Sequence, residues 1–368
     1  MSGQFSFSFS GEDIEADEQA DVNSGALPGS QPSTSASASA FPVAGLPLLP
    51  ATSHDIKEML SKLPSKIAFS LLDVDLDGQK TIQLARRELW DVRVQLMAEE
   101  DEGKTEPGLG NHDVKTGVYE GGFKSWESSV DLVKVLASLH PFTPEAKKFS
   151  NIIEILTPTS QLGCGTGLPS LALFQWAMSS MASSVSFILA DYNPTVPQLV
   201  TLPNFILAWA IHHRESLPLL AEAFSPEGEL DLTPEILAAF QEFLSSRQIS
   251  LLFFSGAWSP EFVSIITNAQ SCTNQSDTES ATAIIGAETI YSPFALSSFL
   301  ETILALMQHE KAHGKVAEAL VGAKRLYFGV GGSLDDFVLQ ARERGAIVEN
   351  LREETEGVRR GVVRCALP

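Results

Sequence analysis

The stretch NIIEILTPTSQLGCGTGLPSLALFQWAMSSMASSVSFILADYN, residues 151–193, decides how the chain folds. It opens on an apolar run and passes through a turn carrying Gly163, Gly165 and Gly167. A helical stretch with Pro169 in its first positions follows, then a second apolar run closed by Asp191. Proline suits a helix start because the amide it lacks would have no partner there, and glycines let backbone amides approach a ligand closely. Strand, glycine turn, helix and strand form the unit from which parallel sheets are wound.

The pattern repeats downstream. Further strands are expected at 249–254, 282–287, 325–330, 346–351 and 361–366, after those at 151–156 and 185–190. Helices are expected at 168–180, 196–210, 234–245, 293–308 and 334–344. This is an α/β fold with a seven-stranded, Rossmann-like sheet covered by helices on both faces. Residues 352–360 are too few for a helical crossover, so the last strand is expected to run antiparallel.

Upstream the composition changes. Residues 1–55 hold seven acids and no Lys or Arg, together with the low-complexity run PGSQPSTSASASAFP, and so read as a disordered acidic tail. Phe5, Phe7 and Phe9 alternate within it, a spacing that suits a docking strand or a short linear motif. Residues 56–110 read as a helical extension. Ser53 is placed to cap a helix through Ile56, Met59, Leu60 and Leu63, and Trp90, Val94 and Met97 fall on one face of a second. Gly- and acid-rich 101–117 reads as a loop, Trp126 opens a helix reaching Leu139, and the main domain is taken as 111–368.

Charge and cysteine content exclude several classes. With 25 Lys+Arg against 46 Asp+Glu the formal charge is -21, which disfavours nucleic acid and anionic membrane as partners. Cys164, Cys272 and Cys365 are too few and too far apart for a disulfide framework, and no apolar run is long enough to span a bilayer. The first basic residue is Lys57, so no signal or transit peptide is evident. A monomer resident in cytoplasm or nucleus is the expectation.

In open α/β sheets ligands bind beyond the carboxyl ends of the strands. The glycine turn is one such segment, although its GxGxG spacing departs from the GxGxxG of nicotinamide dinucleotide sites. Asp191, 28 residues beyond Gly163, can accept both ribose hydroxyls of a nucleoside, or else cap the turn before Pro194. Trp258, in Ser255-Gly256-Ala257-Trp258, suits stacking on a base or a place in the core, and Glu288 suits a substrate contact or a capped turn.

Six collinear segments, VYEGGFKSWESSVDLV (118–133), LGCGTGLPSLALF (162–174), LADYNPTVPQLVTLPNFILAW (189–209), FFSGAWSPEF (253–262), GAETIYSP (286–293) and RLYFGVGGSLDDF (325–337), resemble the histidine protein methyltransferases. RELWDVRVQLM (87–97) resembles them too. The resemblance implies a methyltransferase that uses S-adenosylmethionine to methylate a histidine imidazole of a large-subunit ribosomal protein. The alternative is a catalytically weak cofactor-binding or ribosome-assembly protein that kept the fold. By the same resemblance Ser125, Trp126, Glu127, Ser128, Ser129, Gly163, Gly165, Asp191, Tyr192, Asn193, Gly256, Ala257, Trp258 and Ala287 hold the cofactor. Glu288 and Tyr291 are the candidates for orienting the target ring and taking its proton.

One departure stands out. The family pattern joins the strand acid directly to the glycine turn, whereas here residues 155–161 separate Glu154 from Leu162 and include Pro158. Such an insertion cannot continue a central strand; either it displaces the acid from the cofactor or weakens the loop geometry, or, as the simpler explanation, it is a gene-model artefact such as retained intron sequence. Three motifs are set aside. His309-Glu310-Lys311-Ala312-His313 matches a zinc-protease helix but lies opposite the apolar face of Leu300, Ile303, Leu304 and Met307, so both histidines should point into water. Asp73-Val74-Asp75-Leu76-Asp77-Gly78 opens like a calcium loop yet has Leu84 where a bidentate Glu is needed. Cys164 has no histidine near it in sequence and reads as a small buried residue.

Overall fold

The computed structural model describes residues 48–101, 127–139, 149–156, 165–180, 184–273, 281–327 and 331–368. Phe5, Phe7, Phe9, Ser125, Trp126, Gly163 and Cys164 lie outside them. Among the described residues no helix is long and apolar enough to cross a membrane.

The chain enters through a short strand β1 (Thr52–His54) and helix α1 (Ile56–Ser61). Then come a hairpin of β2 (Lys66–Asp75) and β3 (Thr81–Arg87), helix α2 (Leu89–Asp101) and helix α3 (Glu127–Leu139). The wound core follows as β4 (Phe149–Leu156), α4 (Leu168–Ser179) and β5 (Val185–Asp191), then a π-helical turn Pro197–Thr201 running into α5 (Leu202–His213). A short α6 (Pro218–Ala221) and β6 (Glu229–Asp231) precede α7 (Pro234–Ser246), β7 (Ile249–Ser255), α8 (Pro260–Thr273), β8 (Ala281–Ala287) and α9 (Pro293–Ala312). The chain closes with β9 (Val316–Lys324), α10 (Leu334–Glu343), β10 (Ile347–Glu354) and β11 (Arg360–Ala366).

The large sheet has the order β1-β7-β5-β4-β8-β9-β11-β10. Strands β7, β5, β4, β8 and β9 are mutually parallel, while β11 runs antiparallel between β9 and β10, as the short last connection requires. Every residue of β5 and β8 is buried, which their continuous apolar runs demand of strands covered on both faces. The strand period of two divides the core. Phe187 and Leu189 join α4, α5 and α7 on one face, while Ile188 and Ala190 join α8, α9 and α10 on the other.

Several expectations change. The fifth strand of the wound core is β9, not 325–330. Its sequence VAEALVGAK is rich in small residues and poor in strand formers, but α3 lies hard against it. A Cβ on Gly322 would sit 2.9 Å from Leu132 Cγ and 3.0 Å from the Ser128 carbonyl oxygen. The more strand-like Arg325-Leu326-Tyr327 instead leaves the sheet into a loop. Residues 155–156, read as an interruption, continue β4, with Ile155 beside Ala190 and Gly286 and Leu156 beside Asp191.

Between the two expected N-terminal helices lies the unforeseen β2–β3 hairpin, which joins β6 in a small second sheet. The calcium-like motif is its tip. Asp75 accepts the Gly78 amide, and Asp77 receives both terminal nitrogens of Arg352 at 2.6 and 2.8 Å. Helix α1 is capped by Asp55, not Ser53, which is in β1. Helix α2 turns Val92 and Leu96 inward against Leu199 and Val200, leaving Trp90, Val94 and Met97 more than half exposed. The reversal follows from Arg87, which is buried and draws Asp91 and Gln95, one and two turns along, to the inner face.

Candidate active site

The glycine turn is held from two sides. Gly167, at the N-cap of α4, has no side chain with which to satisfy the helix's first amides, and Glu154 of β4 does so instead, accepting the Ser170 amide at 2.8 Å. Burial pushes this carboxyl up to about 7. From α5 and the π-helical turn, Thr201 donates to the Gly165 carbonyl at 2.7 Å and Asn204 to the Thr166 carbonyl at 3.0 Å. Asn204 in turn accepts the Arg87 amide at 2.7 Å. Thr201 and Asn204 lie inside the following helix, where a reading of strand ends does not look. Their signal was that two polar residues in a helix buried all round must each have a partner.

At the end of β5, Asp191 is fully buried. Its Oδ1 accepts the Asn193 amide at 2.8 Å, whereas Oδ2 has no hydrogen-bond partner among the described residues, and burial raises the carboxyl to about 7. Asn193 uses its carbonyl oxygen on Thr195, and its amide nitrogen has no partner among the described residues. After β7, Trp258 packs edge-on to Phe299, and its indole N–H has no hydrogen-bond partner among the described residues. Tyr192, Ala257, Trp258, Phe294, Ala295, Ser298 and Leu48 line a small cleft.

Leu48 belongs to a strap that sequence reasoning assigned to the disordered tail. Strand β1 pairs with β7, carrying the preceding residues across the end of the sheet. The Leu49 carbonyl accepts the Ala257 amide at 3.0 Å, and the Leu49 amide donates to the Tyr192 hydroxyl at 3.1 Å. Two of the polar groups expected to face a ligand are therefore occupied by the chain itself. Gly256, at φ 108, makes this approach possible, since a Cβ there would lie 2.2 Å from the Pro50 carbonyl oxygen. Gly256→Ala should expel the strap and cost about 1–3 kcal/mol in unfolding free energy from backbone strain alone. Wild-type stability in that variant would show the strap to be dispensable.

At the end of β8, Ala287 pairs with Gly322 and Glu288 takes up a left-handed conformation, φ 55, rare for a residue with a side chain. Its carboxylate is buried and accepts hydrogens from the hydroxyls of Ser128, in the first turn of α3, and Tyr327. The same turn is fastened by Arg360, which donates to Asp131 at 2.8 Å and Glu127 at 2.9 Å. Ser129 beside it is buried. Burial raises the Glu288 carboxyl, and it pushes the Tyr291 phenol up to about 12, so that Tyr291 serves as a hydrogen donor.

The structure thus gathers Glu127, Ser128, Ser129, Gly165, Asp191, Tyr192, Asn193, Gly256, Ala257, Trp258, Ala287, Glu288 and Tyr291 along one edge of the sheet. The zinc-like helix stands apart. Glu310 is buried and accepts the Thr282 hydroxyl at 3.0 Å, while His313 is exposed and His309 half-buried. Among the described residues no cluster of three or more His, Cys, Asp or Glu is placed to hold a metal ion. Among the described residues, Asp191 Oδ2, the Asn193 amide nitrogen, the Trp258 indole N–H and the Thr289 hydroxyl are buried polar atoms without a hydrogen-bond partner, of the kinds that sugar hydroxyls and a heteroaromatic base would engage.

No protein-family profile matches the chain. It is 35% identical over 277 residues, 69% of this chain and 67% of the relative, to histidine protein methyltransferase 1 of Saccharomyces cerevisiae. With that of Schizosaccharomyces pombe it shares 31% over 296 residues, covering 79% of this chain and 77% of the relative. The histidine protein methyltransferase 1 homolog of Rattus norvegicus is 31% identical over 252 residues, 67% of this chain and 57% of its own.

Proposed function

The chain belongs to the histidine protein methyltransferase family, and we propose that it uses S-adenosylmethionine to methylate a histidine of a large-subunit ribosomal protein. The observation that carries the cofactor reading is Asp191. A fully buried carboxylate with one oxygen spoken for and the other unpartnered, at a strand end beside a glycine turn, suits two ribose hydroxyls. In this reading Asn193 and Trp258 serve the base, Gly165 the close backbone approach, and Glu127, Ser128 and Ser129 the amino-acid end. Ser125, Trp126 and Gly163 complete the set by family resemblance.

Bound there, S-adenosylmethionine supplies a methyl group already activated by its sulfonium. What remains for the protein is alignment, which is worth ~7–11 kcal/mol of barrier when a nucleophile is held in line with the reacting carbon. Imidazole, with a pKa near ~6.5, is mostly neutral at pH 7 and needs no strong base to attack. The ring sheds a proton afterwards. In this reading Glu288, whose affinity for a proton is raised by burial, orients the ring and accepts the proton, and Tyr291, held protonated, donates to the target backbone or ring. A formal charge of -21 favours encounter with a basic target such as a ribosomal protein.

Calorimetric titration of the full chain with S-adenosylmethionine should give one site per chain, and incubation with purified large-subunit proteins should add 14 mass units (about one methyl) to a single histidine-containing peptide. No measurable heat and no mass increase would remove the proposal.

A further inference from the structure

We propose that Tyr327 is a positioning residue for methyl transfer, acting through Glu288. The proposal rests on the reading of the site just given and adds a residue to it. Tyr327 is 2% exposed and comes immediately after the sheet, three residues beyond β9. Its hydroxyl donates to one oxygen of Glu288 while Ser128 donates to the other, so the carboxylate is gripped from both sides. The same phenolic oxygen accepts the Lys324 amide at 3.3 Å, which fixes its direction.

Tyr327 is joined by backbone hydrogen bonds to Gly331 and Gly332. Tyr327 donates its amide to the Gly332 carbonyl at 3.0 Å, Gly331 donates to the Tyr327 carbonyl at 3.2 Å, and Gly332 donates to the Tyr291 carbonyl at 3.0 Å. The loop is thereby tied to the segment that bears Glu288 and Tyr291. Glu288 itself is locked by its amide, which donates to the Gly322 carbonyl at 2.9 Å. A buried phenol aimed at a buried carboxylate in a left-handed backbone is an expensive arrangement if its only purpose were packing.

The chemistry says what the grip is for. The imidazole lone pair forms the N–C bond as the C–S pair returns to sulfur, and the methylated ring, now a cation, gives the proton on its other nitrogen to the Glu288 carboxylate. That carboxylate must be ionised and correctly turned when the ring arrives. Burial opposes ionisation and holds the carboxyl above its ordinary value, while the hydroxyls of Ser128 and Tyr327 and the charges of Lys324 of β9 and Arg360 of β11 favour the ionised form. Removing the Tyr327 hydroxyl takes away one donor, so the carboxyl holds its proton to higher pH and the acid limb of kcat moves upward.

Three measurements decide it. Wild-type binding and histidine methylation are established first, and their absence would dispose of the underlying reading rather than of Tyr327. Tyr327→Phe is then expected to lower kcat about tenfold at pH 7, with S-adenosylmethionine affinity within about twofold, and to shift the acid limb of kcat up by about one unit, the worth of one hydrogen bond to a charged group. The target histidine's own titration is common to both proteins and cancels in the difference. An unmoved limb, whether or not kcat falls, would overturn the proposal, because lost packing does not change a carboxyl's protonation. Should Tyr327→Phe fail to fold, 3-fluorotyrosine at position 327 keeps the hydroxyl and strengthens it as a donor. The limb should then move down, and an unmoved or raised limb would overturn the proposal equally.

Discussion

Arg87→Ala is expected to lower the free energy of unfolding by about 3–5 kcal/mol, the usual cost of removing one partner from a buried ion pair. The side chain is fully enclosed. It meets Asp91 at 2.7 Å, the Leu199 carbonyl at 2.9 Å and Gln95 at 2.8 Å. Truncation leaves a carboxylate, an amide and a carbonyl facing a cavity. Arg87→Lys should recover only part of the loss, since an ammonium cannot satisfy three acceptors in the plane of a guanidinium fork. The contact to the glycine turn runs through the Arg87 backbone amide and Asn204, so cofactor affinity should change far less than stability. Urea unfolding of the three proteins checks this. A loss below about 1 kcal/mol would mean that α2 is not anchored here.

Asp191→Asn should have opposite effects on binding and on stability. Replacing a charged acceptor by a neutral one should weaken S-adenosylmethionine binding about tenfold to a hundredfold. The empty protein should gain. Asp191 and Glu154 both have folded values near 7, raised by burial above their ordinary 3.8 and 4.5. The folded chain therefore binds their protons more tightly than the unfolded chain does. The stability they contribute is complete below about pH 4 and is lost as pH rises through about 7, on the order of 3 kcal/mol for each group. Asp191→Asn should then melt above wild type at pH 8, by about 1–3 kcal/mol, with the difference closing toward pH 4. Equal stability at pH 8 with unchanged affinity would remove Asp191 from the ligand's reach.

The parallel core was legible because buried strands and helices leave distinct hydrophobic signatures, and the antiparallel end followed from the length of one connection. What escaped notice had weak local signals. Strand β9 is built from alanine and glycine to admit α3, so its identity depends on a neighbour almost two hundred residues away in sequence. The inward face of α2 was misread because a buried arginine, not the apolar stripe, sets its rotation. The strap looked like tail because Leu48-Leu49-Pro50 is held only through distant partners, Leu49 by Ala257 and Tyr192 and the following β1 by β7. At the site, residue types at strand ends were enough to nominate Asp191 and Glu288. Ser128 and Tyr327, which hold Glu288, come from segments that sequence spacing cannot bring together.

The margins of the large sheet differ from its interior. One is β1, only three residues long, and the other is β10, studded with Glu349, Arg352, Glu353 and Glu354. A long bare margin is a template on which foreign chains can polymerise. Here a stub and a fence of charge stand at the two borders, so a concentrated or warmed preparation meets little on which fibrous growth could take hold.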